Sequence, residues 1–267
     1  MTFHFKFVRF LGIAILGCLQ VTCLQAQNAE KTSQKQVDSA TFNVYISAAY
    51  AYNFPFADWA KMFKSHSSIN ANIGLKTASN WTFDINYCYL FNNTIDSAYA
   101  TYVLGKIINS SKLIIDENGV SASISVEQRG WSMTFNAGKI FPVLPYNKNS
   151  GIWLKISGGY MEYKYKLGNL ENNVPQLLGD YAKLYDNKSR AFVCSQFLGF
   201  FYMSKFRMLN FYGGVEVSEI WGKSIRGFFM PLNGPDLSTK FGMQVGLKFG
   251  WFIPLHEKRK IKKVYYF

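Results

Sequence analysis

The fold of this chain is decided by the stretch Phe241-Gly242-Met243-Gln244-Val245-Gly246-Leu247-Lys248-Phe249-Gly250-Trp251. Its odd positions are large and apolar and its even positions are Gly, Gln or Lys, so a β-strand here has one apolar face and one small or polar face. At about 3.3 Å per residue the strand spans roughly 36 Å, or about 25 Å vertically when it tilts near 45°, which matches the hydrocarbon thickness crossed by membrane β-barrels. A buried strand of a soluble protein has a similar pattern, so the rest of the chain must separate the two interpretations.

Seven further segments alternate in the same way, and the one at 81–91 has aromatic residues at both ends. They lie at about 42–52, 69–76, 81–91, 131–141, 152–160, 192–202 and 209–218. The segment at 192–202 is apolar on both faces, and Trp153 breaks the inward pattern of its segment. Eight strands is an even number, as single-chain bacterial barrels have. The sequence therefore predicts an all-β fold, an eight-stranded antiparallel up-and-down transmembrane β-barrel.

The connections between these segments alternate between short and long. Short ones lie at 78–80, at the turn-rich stretch 142–150 and around Lys205–Arg207, and long ones lie at about 53–67, 92–125, 166–190 and 222–239. Bacterial barrels have short periplasmic turns and long outer loops. We therefore expect both ends of the chain on the periplasmic side.

The termini predict export and a division of the chain into four parts. Residues 1–26 resemble a cleaved signal peptide, with Lys6 and Arg9 before an apolar run that is too short to span a bilayer as a helix. Lipid attachment at Cys18 is an alternative. A polar periplasmic leader (27–40), the barrel (41–255) and a basic tail (256–267) follow. Loss of Lys6 and Arg9 reduces the net charge from +13 to +11, and Cys88 and Cys194 are expected to be free thiols.

A soluble lipocalin-like barrel or β-sandwich is the competing fold. Lipocalins keep apolar side chains inside and charges outside, which is the inverse of the arrangement expected here. Water exposure of residues such as Leu247, Phe249 and Trp251 would leave a large adhesive surface. The high aromatic share of 18% and 17 tyrosines also favour a transmembrane sheet.

The alternating segments, the signal peptide and terminal Phe267 resemble the OmpA/OmpX-type outer-membrane barrels. Ser79-Asn80-Trp81, Gln128-Arg129-Gly130, Val174-Pro175-Gln176-Leu177, Gly179-Asp180-Tyr181 and Gly250-Trp251-Phe252-Ile253-Pro254 resemble stretches of barrel proteins from bacteria with type 9 secretion. This likeness implies a bacterial outer-membrane location and names no activity. The chain departs from the simpler members because His256–Val264 separates the last strand from Phe267.

The inward faces predict a polar network and no catalytic centre. Its charged members are Lys76, Asp84, Lys155, Glu216 and Lys248, for which we expect the pairs Lys76–Asp84 and Glu216–Lys248 because buried charges require partners. No cofactor and no metal site are expected, since the sequence has no His/Cys cluster with ligand spacing. His66 is interpreted as a solvated loop histidine. A rim enzyme using His66 with Asp58, Asp180 or Asp186, and a narrow pore or ligand-binding lumen, remain alternative hypotheses.

The loops and the tail are the expected interaction regions. Ile95 to Val103 has helical spacing, followed by a hairpin around Asn118-Gly119. The residues proposed for partner contacts are Tyr99, Tyr102, Leu177, Tyr181 and Tyr185, and in the tail Lys258, Arg259, Lys260, Lys262 and Lys263. The loops either pack on each other as a lid or dock a partner. Partners expected from these features are outer-membrane lipid and an envelope or secretion-system protein, whereas nucleic acid is excluded by the compartment.

Overall fold

A computed structural model describes residues 40–93, 95–109, 113–169, 174–204 and 209–255. The predicted signal peptide, the leader up to residue 39, the basic tail and Lys205–Arg207 lie outside these residues. The elements in chain order are β1 (Asn43–Ala57), α1 (Asp58–Met62), β2 (His66–Lys76), β3 (Trp81–Asn92), α2 (Ser97–Leu104), β4 (Ile124–Leu144), β5 (Asn147–Asn169), the 3₁₀ helices Pro175–Leu177 and Tyr181–Leu184, β6 (Ser189–Tyr202), β7 (Phe211–Ser224), the 3₁₀ helix Met230–Leu232 and β8 (Thr239–Pro254).

The eight strands form one closed antiparallel barrel in sequence order, with β1 paired to β8. The predicted fold class is confirmed. Short turns join the strands at the end where β1 begins and β8 ends, which we call the turn end, and long connections join them at the opposite loop end.

The stagger of the strands sets the width of the barrel. Residue pairs followed once around the ring from Phe249 lead back to Thr239 of the same strand, a stagger of ten residues. With eight strands, this stagger implies a tilt of roughly 40° and a backbone radius of about 8 Å. A barrel of this width is filled by its own side chains and leaves no room for an open channel.

The outward faces are mainly apolar between the ends of the barrel, and the small and polar residues of the strands lie mainly on the inward faces, together with several buried aromatic side chains. On β8, Leu247 and Phe249 are 58% and 62% exposed, whereas Lys248 between them is 6% exposed. Other strongly exposed outward residues are Phe42, Ile69, Ile73, Met133, Phe135, Ile156, Phe192 and Leu198. Trp153 points inward and is buried, as its position in the alternation predicts.

Aromatic side chains line the outer face near both ends of the barrel. Towards the loop end, ring contacts join Tyr87 to Trp131 and Trp131 to Tyr160, and a second set joins Phe192 to Trp221 and Trp221 to Phe241. Towards the turn end, the exposed rings are Trp81, Phe141, Phe200, Phe211 and Trp251. Phe241 and Trp251 lie ten residues apart on β8, which corresponds to a height of about 25 Å at the tilt given above.

Several strand boundaries differ from those predicted. The turn expected at 142–150 is only Pro145-Tyr146, because β4 and β5 continue pairing to Leu144 and Asn147 across a register shift. The loop expected at 53–67 is also shorter, since β1 runs to Ala57 and β2 begins at His66. Beyond Asn53 the β1 strand pairs only with β8, which suits Pro55 because proline lacks one ladder donor.

None of the helices among the described residues is both long enough and apolar enough to cross a membrane. Cys88 is buried inside the barrel and Cys194 is partly exposed on its outer face, and both are free thiols as predicted.

Candidate functional site

Aromatic side chains fill the interior of the barrel near the turn end. Trp153 packs edge-on against Phe197, Phe201 and Tyr212, with ring centroids 5.2 to 5.5 Å apart. Phe201 also stacks on Phe252 at 4.4 Å. All five side chains are at most 3% exposed. This layer closes the lumen at the turn end.

The charged residues lie in a polar layer above these rings. Lys248 Nζ forms a close ion pair with Glu216 Oε2, as the sequence predicts for adjacent strands. Asp84 is held by Lys155 Nζ at 3.9 Å, by a hydrogen bond from Tyr45 at 3.3 Å and by a short one from Asn136. Lys155 also lies over the Trp153 ring, 4.5 Å from its centroid. Two cations therefore face two carboxylates, which balances the buried charge.

The predicted Lys76–Asp84 pair is wrong. In the β2–β3 register Asp84 lies opposite Gly74, whereas Lys76 lies opposite Thr82, nearer the turn end. Lys76 Nζ instead donates hydrogen bonds to Asn149 Oδ1 at 2.9 Å and to the Thr41 carbonyl at 3.3 Å. Lys76 therefore ties the start of the barrel to the β4–β5 hairpin, and only four of the five predicted charges belong to the polar layer.

Little free volume remains in the polar layer. A cavity of about 30 Å³ lies among polar side chains that include Asn70, Asn86, Ser132 and Lys248. This volume has room for about one or two water molecules, and the lining offers several hydrogen-bonding partners. This cavity therefore has space for buried water rather than for a solute.

Helix α1 closes the lumen at the loop end. Its Trp59 is fully buried and packs against Phe63 and Tyr163, each with ring centroids 5.2 Å away. A Cβ at Gly242 would lie 2.3 Å from Trp59 Cδ1, so the glycine provides the space for this ring. The small inward residues of β8 thus admit a side chain from the adjacent loop.

The other loops extend this apolar cluster into a cap. Helix α2 begins at Ser97, where the Asp96 carboxylate accepts hydrogen bonds from the Ala98 and Tyr99 amides. Such a cap stabilises a helix start by about 1 kcal/mol. Val103 and Leu104 face the cluster together with Ile95, Ile114, Val126, Val174, Leu177, Tyr185 and Phe229. The prediction of a helix in this loop is confirmed, but the helix runs from Ser97 to Leu104, and Ile95 lies before it in a β-bridge to Phe63. Gly119 of the predicted turn has a positive φ of +78°.

The predicted contact residues of the loops divide into two groups. Leu177 and Tyr185 are 6% and 4% exposed, and Tyr99 is half-buried against the Tyr165 ring at 5.4 Å. Tyr102 and Tyr181 are 42% and 66% exposed. The first group belongs to the cap, as the lid hypothesis expects, and the second lies on its surface. Lys258, Arg259, Lys260, Lys262 and Lys263 lie outside the described residues.

Two polar clusters connect the loops that precede β6 and β8. The Arg226 guanidinium binds both carboxylate oxygens of Asp186, with Nε at 2.6 Å from Oδ1, and these hydrogen bonds raise the pKa of Arg226. Asp236 accepts hydrogen bonds from Lys240 at 2.6 Å and from Asn187 at 3.0 Å. Burial alone would raise the pKa of the Asp236 carboxyl, but the hydrogen bonds to it outweigh burial and hold this pKa at about 2.

The solvated-histidine interpretation of His66 is wrong. His66 is only 1% exposed and lies at the first residue of β2, with its ring 6.0 Å from that of Trp59. Asp186 is buried and bound to Arg226, whereas the more exposed Asp180 and Asp58 pair with Lys183 at 2.6 Å and with Lys61 at 2.9 Å. The residues proposed for a rim enzyme are therefore not brought together. The described residues also contain no group of three or more His, Cys, Asp or Glu able to hold a metal ion.

No protein-family model matches the chain, and no curated protein sequence matches it. Solved structures similar to it include Ail, the attachment invasion locus protein of Yersinia pestis, at 11% identity over 80% of this chain and 99% of that chain, with a TM-score of 0.44. A second is the N-terminal β-barrel domain of Pseudomonas aeruginosa OprF, at 10% identity over 78% and 97%, with a TM-score of 0.36. A third is a major outer membrane protein from Thermus thermophilus, at 8% identity over 79% and 99%, with a TM-score of 0.38. These likenesses are distant, so the fold assignment rests on the strand pairing of this chain.

Sequence reasoning missed the residues that organise the cap. Trp59 lies in a five-residue helix too short to show a periodic pattern. Asp236 and Arg226 belong to a loop whose apolar residues follow no regular spacing. Their partners, Asn187 and Asp186, come from another loop. The only sequence signal was the concentration of apolar residues in connections, which indicated packing without identifying its centre.

Proposed function

We propose that this chain is a non-enzymatic β-barrel protein of the bacterial outer membrane, where it interacts with other envelope components through its loop cap and its basic tail. The observation that carries this proposal is the outer face of the barrel. Every strand presents apolar side chains outward, in a band about 25 Å high between the aromatic rings near the loop end and those near the turn end. A closed barrel satisfies its backbone hydrogen bonds internally, as a lipid environment requires.

The orientation follows from the connections. Short turns are found on the periplasmic side of bacterial barrels and long loops outside. The loop cap is then exposed to the cell exterior, and both termini and the tail face the periplasm. The resemblance to OmpA/OmpX-type barrels and to proteins of bacteria with type 9 secretion supports the same location.

Membrane fractionation tests the location. The full chain, expressed in a bacterium with two membranes, is expected in the outer-membrane fraction and to resist extraction by alkaline carbonate. A barrel of this kind should also migrate differently in gels before and after boiling. Recovery of folded protein in the soluble periplasmic fraction would refute the proposal.

The interaction role rests on apolar side chains that the cap leaves exposed. Besides Tyr102 and Tyr181, the loops expose Leu178, Leu232 and Leu237, whose side chains are between 37% and 71% exposed. Isolated exposed apolar residues are ordinary, but several on one loop region are typical of a binding surface. The expected partner is an envelope or secretion-system protein with a complementary apolar surface.

Site-specific photo-crosslinking tests this role with a matched pair of positions. A crosslinker at Tyr181, which is 66% exposed, should capture a discrete partner in intact cells, whereas one at Tyr185, which is 4% exposed in the same loop, should not. The adduct should disappear when Leu178 and Leu232 are changed to Ser. Equal labelling at both positions, or none at Tyr181, would contradict a docking role for the cap.

The basic tail provides a second contact region. Five cations within six residues attract anionic lipid head groups or an acidic periplasmic protein. Replacing Lys258, Arg259, Lys260, Lys262 and Lys263 by Gln should weaken co-purification of a periplasmic partner while leaving the barrel folded. Unchanged co-purification would remove the tail from the proposal.

The alternative of a narrow pore or ligand-binding lumen is disfavoured by the interior. The aromatic layer around Trp153 and the α1 plug around Trp59 lie on either side of a cavity of only about 30 Å³. A planar bilayer containing the protein is therefore expected to show no conductance steps.

A further inference from the structure

A groove on the outer face of the barrel extends from β3 to β8 near the loop end. It has a volume of about 830 Å³. Gly158 and Gly159 form its floor, and its apolar walls are Ile85, Trp131, Met133, Phe135, Tyr160, Phe192 and Trp221. The groove lies between the two sets of aromatic rings at the loop end: one set ends at Tyr160 and the other begins at Phe192.

The groove exists because an outward position of β5 lacks a side chain. Gly158 lies between Phe135 of β4 and Cys194 of β6 in the strand register. A Cβ built at Gly158 would contact only Phe192 Cζ, at 3.8 Å, so the backbone there accepts a larger residue without a clash. Packing inside the barrel therefore does not require this glycine, in contrast to Gly242.

Basic residues line the upper edge of the groove. Arg190 and Lys223 lie directly opposite each other on β6 and β7, and both line it. Like charges in directly opposite positions of a sheet repel each other. An anion held between the two side chains would relieve this repulsion.

A second recess of about 320 Å³ adjoins the groove at Trp131 and continues the basic surface. It is lined by Arg129, Lys164, Lys166, Lys188 and Glu162. Glu162 binds Lys188 at 2.6 Å and Arg190 at 3.6 Å, and Glu127 binds Arg129 at 2.6 Å. The two recesses together carry six cations, and these two carboxylates leave four of the positive charges in excess.

We propose that the groove binds one membrane lipid with an anionic phosphate head group, drawn from the leaflet at the loop end. An acyl chain lies along Gly158 between the aromatic walls, and the phosphate lies between Arg190 and Lys223. Arg and Lys side chains are the usual partners of phosphate oxygens. This inference rests on the proposed membrane location of the barrel, since only there does the groove face acyl chains.

Native mass spectrometry of the full mature chain in mild-detergent micelles tests the proposal, with dimyristoyl phosphatidylglycerol as the probe. One retained lipid per chain is expected at concentrations where dimyristoyl phosphatidylcholine, which has the same chains and no net charge, is lost. The double variant Arg190→Gln/Lys223→Gln should weaken retention by about thirtyfold. Its control is Lys61→Gln/Lys64→Gln, which removes two exposed cations from the β1–β2 loop on the opposite side of the ring and should leave retention unchanged.

A second pair of variants tests the apolar part of the site. Gly158→Phe fills the groove and should abolish the retained lipid, whereas Ala48→Phe adds the same side chain to another outward position and should preserve it. Two results would overturn the proposal, because both would mean that only bulk annular lipid is present. One is an equal loss of retained lipid in Arg190→Gln/Lys223→Gln and in its control Lys61→Gln/Lys64→Gln, and the other is equal retention of both lipids by the unmodified chain. In both cases the barrel would still insert into the membrane and change its gel migration on boiling. They therefore differ from a failure of the proposed membrane location, in which the protein would not insert.

Discussion

Substitution of Gly242 by Ala is expected to strain the plug at the loop end of the barrel. The added Cβ would lie 2.3 Å from Trp59 Cδ1, 2.5 Å from Nε1 and 2.6 Å from Cγ, all of which are shorter than an ordinary contact of 3.4 to 4 Å. The indole ring must therefore move by about 1 Å or more. Phe63 and Tyr163 pack against it at 5.2 Å and restrict that movement.

The magnitude follows from the two ways in which the clash can be relieved. Overpacking of a closely packed interior costs about 1–3 kcal/mol. Expulsion of Trp59 would lose the burial of a large aromatic side chain, worth about 3 kcal/mol or more. The protein adopts whichever response costs less, which is overpacking, so the free energy of unfolding should fall by about 1–3 kcal/mol.

Reversible urea unfolding in lipid vesicles, followed by tryptophan fluorescence, measures this change. Gly227→Ala is the control, because a Cβ at Gly227 meets no atom within 4 Å, and it should have little effect. In the background Trp59→Leu, the additional cost of Gly242→Ala should largely vanish, which gives a coupling energy of about 1–3 kcal/mol. Equal effects of the two alanine substitutions, or additivity with Trp59→Leu, would refute the proposed plug.

Three further predictions concern charges and the lumen. Lys248→Met removes one partner of the Lys248–Glu216 pair and should lower the free energy of unfolding by about 3–5 kcal/mol, because the buried Glu216 carboxylate loses its nearest cation. The double variant Lys248→Met/Glu216→Gln should recover much of this loss in the same urea assay. The Asp236 carboxyl has a pKa of about 2 in the folded chain against an ordinary value of 3.8, so its stabilisation is present above about pH 4 and is lost as the pH falls towards 2. Protease cleavage of the 225–238 loop should rise over that range in the unmodified chain, and a rise of the same size in Asp236→Asn would contradict this assignment. Planar-bilayer recordings should show no conductance steps, and steps of constant size would contradict the filled lumen.

The direction of each side chain was predictable because successive residues of a strand point to opposite faces. Phe249 and Lys248 therefore fall outside and inside whatever their pairing partners are, and even the exceptional Trp153 follows the rule. The even strand count and the alternation of short and long connections then determined the topology.

The height at which two inward residues meet was not predictable in the same way. It depends on the stagger of the strands, which arises from pairing around the whole ring rather than from any one segment. Lys248 is diagonal to Glu216, so that pair forms, whereas Asp84 lies opposite Gly74 and is held by Lys155 of β5. The wrong pairing of Lys76 comes from this missing information.

The sequence predicted that apolar residues of the loops pack or dock, but it did not predict which of them are buried. Apolar side chains in the connections indicated packing, but their contacts are made between loops that are far apart in sequence. Tyr102 of α2, for example, lies against Phe229, with ring centroids 6.4 Å apart. No local pattern records such a contact, so which tyrosines are buried and which are exposed required the structure.

Solubility without detergent tests the central claim most directly, namely that the apolar face of the barrel is turned towards lipid and that its small and polar residues are packed within. The purified mature chain should fold, with β-sheet circular dichroism and a heat-modifiable gel band, only when micelles or bilayers are present, and it should aggregate when they are removed. A folded, soluble monomer in detergent-free buffer would contradict the account.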